Sequence, residues 1–70
     1  MKNKIKEYRY RLGLSQQELA NACGVSRETI SRLESNHSNP SLLLSIRIAK
    51  QLDTSVESIF LLEEEEIFWQ

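Results

Sequence analysis

The sequence predicts a small all-α domain of five short helices. Ile5, Tyr8 and Leu12 recur at the spacing of a helix with one apolar face over residues 4–12. Apolar residues at helical spacing mark four later segments, which are residues 15–23, 27–34, 41–52 and 55–61. The 70 residues include only two glycines and one proline, which argues against a disordered linker or a series of short strands.

The second and third of these helices are predicted to be joined by a very short turn. Ser15 followed by Glu18 has the spacing of a capping box that opens the second helix. Gly24 suits the end of that helix because glycine readily adopts a positive φ, and Ser26 is placed to cap the next one. Only about four residues remain for the turn, so the two helices are expected to cross steeply, as in a helix-turn-helix.

The third helix is predicted to bury Ile30 and Leu33 and to present a polar face to solvent. The side chains expected on that face are those of Arg27, Glu28, Thr29, Ser31 and Arg32. Such a short polar helix fits the DNA major groove, whose base edges offer hydrogen-bond donors and acceptors.

The sequence predicts the structure of residues 35–70 in less detail than that of the first three helices. A polar loop is expected over residues 35–40, with Asn36 in a left-handed conformation at the end of the third helix. The helix over about 41–52 carries too broad an apolar stripe to be packed on one side only. Residues 61–70 could form a strand or hairpin, a helical extension or a disordered acidic tail.

Charge is divided unevenly along the chain. Nine bases against four acids give residues 1–52 a net charge of +5, and six acids without a base give residues 53–70 a charge of −6. A local positive potential matters more for DNA binding than the overall charge of −1. The acidic end is therefore expected to point away from a bound duplex, although each charged block could also be a solvated face.

Several classes of protein are not expected from this composition. No apolar run reaches about 18 residues, and the basic start lacks the apolar core of a signal peptide, so a cytoplasmic protein without a membrane segment is predicted. Cys23 and His37 are single residues of their kind, which excludes an internal disulfide or a zinc site, and no cofactor is expected. Cys23 is expected in the core rather than as a redox sensor. No nucleophile or pocket accompanies the acidic run at 63–66, so an enzyme is not expected.

Taken together, six short segments resemble the Cro/C1-type (XRE) family of helix-turn-helix proteins. They are S-Q-x-x-L-A (15–20), G-V-S (24–26), T-I-S-x-L-E (29–34), N-P-S-L (39–42), I-A-K-Q-L (48–52) and S-V-E-S-I-F (55–60). The likeness extends over about residues 3–62 without a gap. It implies a lambda-repressor-like fold of five helices, DNA binding and regulation of transcription.

The resemblance also implies which residues read bases. By position these are Ser26, Arg27, Glu28, Thr29, Ser31 and Arg32. Arg27 or Arg32 could pair with guanine O6 and N7, a contact worth about 1–3 kcal/mol of discrimination. Glu28 could accept from cytosine N4, or it could hold Arg32 in place one helical turn away.

Phosphate contacts are implied at the start of the second helix and in the loop after the third. The residues are Gln16, Gln17, Ser35, Asn36, His37 and Asn39. A helix N-terminus with an added side-chain amide suits an anion. His37 stands where relatives often have Lys, and because it is mostly neutral at pH 7 it weakens one contact.

Two further expectations concern an ion pair, implied by the resemblance, and the apolar residues near the end of the chain. Arg9 and Glu34 stand where related domains have an inward salt bridge, the alternative being two exposed charges. Residues 63–70 are expected to be a dimerisation element beside a DNA-binding domain at 1–62. The apolar residues expected at the dimer interface are Leu43, Leu61, Leu62, Ile67, Phe68 and Trp69.

The leading hypothesis is a dimeric repressor that binds a palindromic double-stranded operator, with its two reading helices about 34 Å apart. The alternative is an antitoxin-type module that docks a protein partner through its C-terminal residues and also binds DNA.

Overall fold

Five helices lie where the sequence predicts them in the computed structural model, which describes residues 2–67. They are α1 (Ile5–Arg11), α2 (Gln16–Cys23), α3 (Arg27–Glu34), α4 (Leu42–Gln51) and α5 (Val56–Ile59). Three short elements join them: β1 (Lys2–Asn3), β2 (Phe60–Leu61) and α6 (Glu64–Ile67). The predicted all-helical fold is therefore confirmed, with one more helical turn and one small sheet. None of the helices over residues 2–67 is long and apolar enough to cross a membrane.

The boundaries of α2 follow from the predicted capping residues. The Ser15 hydroxyl accepts from the Glu18 backbone N–H at 3.0 Å, and the Glu18 carboxylate accepts from the Ser15 N–H at 2.9 Å. At the other end Gly24 has φ 73°, a left-handed conformation that lets the Val25 N–H reach the Ala20 carbonyl. The turn that follows is therefore tight, and α3 begins at Arg27.

Asn36 has the left-handed conformation predicted for it, with φ 61°. Its backbone N–H donates to the Leu33 carbonyl at 3.1 Å, and the His37 N–H donates to the Arg32 carbonyl at 2.9 Å. This pair of bonds is a Schellman motif, which satisfies carbonyls that the end of a helix leaves without an intrahelical partner.

The two strands pair the beginning of the described chain with its later part. β1 and β2 are antiparallel, with Lys2 opposite Leu61 and Asn3 opposite Phe60. A strand was one of the alternatives for residues 61–70, and helix 5 was expected to reach residue 61. The helix instead ends at Ile59, because Phe60 adopts extended angles (φ −101°, ψ 115°) and buries its ring. Residues 64–67 form the helical turn α6.

One apolar core holds the helices together. Ile5, Leu19, Ile30, Ile48 and Ile59 are fully buried, so every helix from α1 to α5 contributes to it. Cys23 is buried there too, as predicted. Burial raises the pKa of its thiol, and the nearby charge of Arg47 opposes that rise more weakly.

Candidate nucleic-acid interface

The outer face of α3 carries three exposed charged side chains, Arg27, Glu28 and Arg32. On the opposite side of the helix Ile30 and Leu33 are buried, as the apolar stripe predicted. Thr29 and Ser31, also expected to read bases, are half-buried at the edge of this face. The structure therefore places the charged candidates outward and Thr29 and Ser31 closer to the body of the domain, while Ser26 is exposed at the start of the helix.

Ser26 and Thr29 already bond to each other at the start of α3. The Ser26 hydroxyl accepts from the Thr29 backbone N–H at 3.2 Å, and the two side-chain oxygens are 3.0 Å apart. Ser26 is the N-cap of this helix, a role that stabilises it independently of DNA. A hydroxyl that contacts a base has to do so while the hydrogen bonds between Ser26 and Thr29 persist.

Of the described residues, Glu28 and Arg32 lie one helical turn apart, and their side chains do not form an ion pair with each other. Of the two alternatives for Glu28, the structure does not support the one in which it holds Arg32 in place. Its exposed carboxylate is available to accept a hydrogen bond, and the Arg32 guanidinium is available to donate.

Arg9 of α1 and Glu34 of α3 form a two-point ion pair. Arg9 Nε donates to Glu34 Oε2 at 2.8 Å, and Arg9 Nη2 donates to Glu34 Oε1 at 3.1 Å. Arg9 Nη1 also donates to the Leu14 carbonyl at 2.9 Å, so the guanidinium is satisfied although it is 5% exposed. The hydrogen bond to Glu34 raises the pKa of Arg9. The last residue of α3 is therefore fixed to the first helix.

Gln16 connects this ion pair to Arg27 at the start of α3. Its Nε2 donates to Glu34 Oε1 at 3.0 Å, and its Oε1 accepts from Arg27 Nη1 at 3.4 Å. Arg9, Glu34, Gln16 and Arg27 thus form one chain of hydrogen bonds. Glu34 accepts one amide hydrogen of Gln16, and the other amide hydrogen can be donated to a further acceptor at the N-terminus of α2.

The other expected phosphate ligands lie in different settings. Gln17 donates to the Asn21 side chain at 2.8 Å on the exposed side of α2. Ser35 donates its hydroxyl to the Ser31 carbonyl at 2.8 Å, which occupies its only donor. His37 is exposed after the Schellman motif. Asn39 lies away from that loop's contacts, beside a groove that Pro40 and other residues line.

Asn3 belongs to the same region, although no sequence signal singled it out. Its side-chain amide donates to the Leu33 carbonyl at 2.6 Å and to Asn36 Oδ1 at 3.1 Å. These contacts join β1 to the end of α3 and to the loop where phosphate ligands were expected.

Five large apolar side chains are exposed on α4 and after β2, and they are here called the α4 face: Leu42, Leu43, Ile46, Leu62 and Ile67. Of these, Leu42 and Leu62 line a shallow groove together with Val56 and Phe60. The broad apolar stripe of α4 predicted such exposure. Of the expected interface residues, Leu61 is also exposed, and Phe68 and Trp69 lie outside the described residues.

Comparison with known proteins identifies this arrangement. The sequence model of the helix-turn-helix family matches residues 5–59, which include α2, α3 and the turn between them. The chain belongs to the helix-turn-helix family of Cro/C1 (XRE) type. The resemblance inferred from the sequence is therefore confirmed.

Relatives of similar length share the whole domain. The HTH-type transcriptional regulator YgzD of Bacillus subtilis, described as uncharacterized, is 46% identical over 65 residues, covering 93% of this chain and 98% of its own. SinR of Bacillus subtilis, the master regulator for biofilm formation, was crystallised in complex with DNA. SinR in that complex is 38% identical with a TM-score of 0.73, over 79% of this chain and 89% of its own.

The restriction-modification controller protein C.AhdI of Aeromonas hydrophila is also similar in structure. It is 32% identical with a TM-score of 0.76, over 81% of this chain and 86% of its own. SinR is a regulator whose crystal structure includes DNA, and YgzD is described as an HTH-type transcriptional regulator. This chain is a transcriptional regulator of the same family and not an enzyme.

Proposed function

We propose that this protein is a sequence-specific repressor that binds a palindromic DNA operator as a homodimer, with α3 of each copy in the major groove. The observation that carries the proposal is the outward display of Arg27, Glu28 and Arg32 on a helix whose other side is buried. A short helix with free charged groups can enter the groove without first breaking internal ion pairs.

Base recognition is assigned to these exposed side chains. Arg27 and Arg32 each carry the forked donors that match guanine O6 and N7, and Glu28 carries the acceptor that matches cytosine N4. Gln16 steadies Arg27 before DNA arrives, which lowers the entropy lost on binding. Ser26, Thr29 and Ser31 are assigned to the edge of the contact, close to the sugar-phosphate backbone.

Phosphate binding is assigned to both sides of α3. Gln16 and Gln17 lie at the N-terminus of α2, and Asn36 and His37 follow α3. Ser35 joins them only if its hydroxyl exchanges its hydrogen bond to the Ser31 carbonyl for a phosphate, and Asn39 follows later in the same loop. Contacts of this kind fix the register of the protein on the duplex but carry no sequence information themselves.

Dimerisation is assigned to the α4 face together with Leu61 and the residues beyond it. Large apolar side chains grouped on the surface of a small domain are typical of an interface. A two-fold axis through this face would cover the same residues in both copies and would set the two α3 helices on one side of the duplex. Residues 63–70 then act as a dimerisation element beside the DNA-binding domain at 1–62.

Repression results when the dimer occupies its operator. An operator that overlaps a promoter is closed to polymerase while a dimer is bound, and the concentration of the protein sets the fraction occupied. The outward face of α3 determines which DNA sequence is bound. Dimerisation through the α4 face brings a second copy, which binds the other half-site.

Selection of bound sequences from a random DNA pool tests the proposal for DNA binding. The expected result is a palindrome whose half-sites are about one helical turn apart, with specific binding at least about 1,000-fold tighter than binding to bulk DNA. Arg27→Ala and Arg32→Ala should each relax one position of the half-site. Arg11→Ala is the matched control, because Arg11 is exposed on α1 and pairs with Glu7. No enrichment at physiological salt would refute sequence-specific binding.

Sedimentation of Leu43→Glu tests the proposed interface. Leu43 lies on the α4 face, and a charge there should convert the dimer to a monomer and weaken operator binding. Leu12→Glu is the control, since Leu12 is similarly exposed but lies at the end of α1. A dimer that tolerates Leu43→Glu, or a wild-type monomer at operator-saturating concentration, would refute this assembly.

A further inference from the structure

The side chain of Asn3 is held at three points. Its Nδ2 donates to the Leu33 carbonyl at 2.6 Å and to Asn36 Oδ1 at 3.1 Å, and its Oδ1 accepts from the Ile5 backbone N–H at 3.2 Å. Both amide hydrogens are therefore used, together with one acceptor site. Asn3 connects the start of α1, the end of α3 and the loop that follows α3.

The backbone of Asn3 is fixed as firmly as its side chain. It pairs with Phe60 in the β1–β2 ladder, and the next residue, Lys4, donates its backbone N–H to the Ile59 carbonyl at 2.8 Å. Ile59 and Phe60 belong to the buried core. The Asn3 amide therefore reaches Leu33 and Asn36 from an anchored position rather than from a loose chain end.

The contact with Asn36 determines which way its amide points. Asn36 is exposed, and its backbone is already fixed by the Schellman motif with φ 61°. Because Asn3 donates to Oδ1, the Asn36 NH2 group lies on the other side of the planar amide. Without the Asn3 donor the oxygen and the NH2 group of Asn36 could exchange places at little cost.

We propose that Asn3 is a positioning residue for DNA-backbone binding, which orients the Asn36 side chain so that its NH2 group donates to a phosphate. This inference rests on the proposed function, because it assigns a role within the same DNA interface. Asn3 itself acts through Asn36 and does not touch the DNA.

A purely structural role for Asn3 makes a different prediction. It would lower the stability of the fold and leave the number of phosphate contacts unchanged. Operator affinity of the folded protein separates the two roles, because loss of a phosphate hydrogen bond weakens it whereas a loss of stability alone does not. The slope of log affinity against log salt should stay unchanged in both cases, since it counts phosphates neutralised by Lys and Arg and Asn is uncharged.

The experiment compares the wild type with four variants on the selected operator at one physiological salt concentration. Asn36→Gly removes the amide but suits the left-handed backbone, and Asn3→Leu keeps a similar shape but removes the donors. Each should weaken operator binding by about 2- to 10-fold, the range expected for one neutral hydrogen bond. The double variant should lose no more than either single one. Ile48→Val is the control, because it loosens the buried packing of α4 without touching the loop or the α4 face.

Base preference in the random pool should stay unchanged in Asn3→Leu, since phosphate contacts carry no sequence information. The inference is overturned if Asn3→Leu keeps the wild-type operator affinity while Asn36→Gly loses it, or if Asn36→Gly keeps it. A wild-type protein that prefers no DNA sequence overturns the proposed function as well.

Nuclear magnetic resonance of the wild type supplies a readout that does not depend on a variant's folding. Adding operator should shift the side-chain NH2 signals of Asn36, and unshifted signals in the bound state would also overturn the inference.

Discussion

Arg9 and Glu34 bond to each other across the interior of the domain, with Nε and Oε2 2.8 Å apart and both side chains less than a tenth exposed. The pair joins α1 to the last residue of α3. Two parallel N–H···O bonds constrain direction as well as distance. The angle between α3 and the rest of the domain therefore depends on this contact.

Replacing Arg9 by Met should destabilise the fold by about 3–5 kcal/mol, because a buried carboxylate loses its charged partner. The double variant Arg9→Met/Glu34→Leu should recover part of that loss, since it leaves no charge behind. Urea unfolding measures both values.

The exposed pair of Arg11 and Glu7, 3.5 Å apart, is the control for this prediction. Breaking it with Glu7→Gln should cost less than about 1 kcal/mol. If Arg9→Met costs no more than Glu7→Gln, the buried pair does not stabilise the fold.

The capping box of α2 should make stability depend on pH through Glu18. The Ser15 backbone N–H donates to the Glu18 carboxylate, which lowers the pKa of Glu18 below its ordinary value of 4.5. A pKa lower in the folded state gives stability that is present above the unfolded pKa and is lost as pH falls through the folded one.

Glu18→Gln keeps an acceptor for the Ser15 N–H but removes the titration. The wild type should therefore have a higher melting temperature than Glu18→Gln near neutral pH, and the difference should shrink as pH falls to about 3. A gap that stays constant over that range would contradict this interpretation.

Cys23 should react slowly with a thiol reagent in the native protein. Burial removes access to the sulfur and also raises the pKa of the thiol, so little thiolate forms at neutral pH. The native rate should be at least about 100-fold below the rate in denaturant, since reaction has to wait for the domain to open. Comparable rates would show that the thiol is accessible or activated.

Gly24→Ala should destabilise the turn between α2 and α3 by about 1 kcal/mol. An added Cβ would meet no atom within 4 Å, so the penalty comes from the positive φ of 73° alone. Gly24→Asn is the matched variant and should cost less, because Asn tolerates this conformation better. Equal melting temperatures for Gly24→Ala and the wild type would exclude backbone strain at this position.

Local sequence patterns predicted the helices because their signals are local. Ser15, Glu18 and Gly24 determine where α2 begins and ends through bonds that span only a few residues. The left-handed Asn36 was predictable for the same reason. The outward direction of Arg27 followed from the buried positions on the other side of α3.

Contacts between distant residues could not be predicted from spacing. Gln16 meets Glu34 18 positions later, and Asn3 meets Leu33 30 positions later. A strand within residues 61–70 was one of the predicted possibilities, but its pairing with β1 could not be derived from spacing, since strands of two residues leave no alternating pattern. The ion pair of Arg9 was inferred from a family likeness and not from periodicity.

The β1–β2 ladder also affects how the protein is made. Asn3 leaves the ribosome early but has no strand partner until Phe60 has followed it. During synthesis the helical segments can form in turn, whereas the end of α3 and the loop after it wait for the final closure of the chain. A nascent molecule should therefore complete the loop after α3 only once Phe60 has been added and has paired with Asn3.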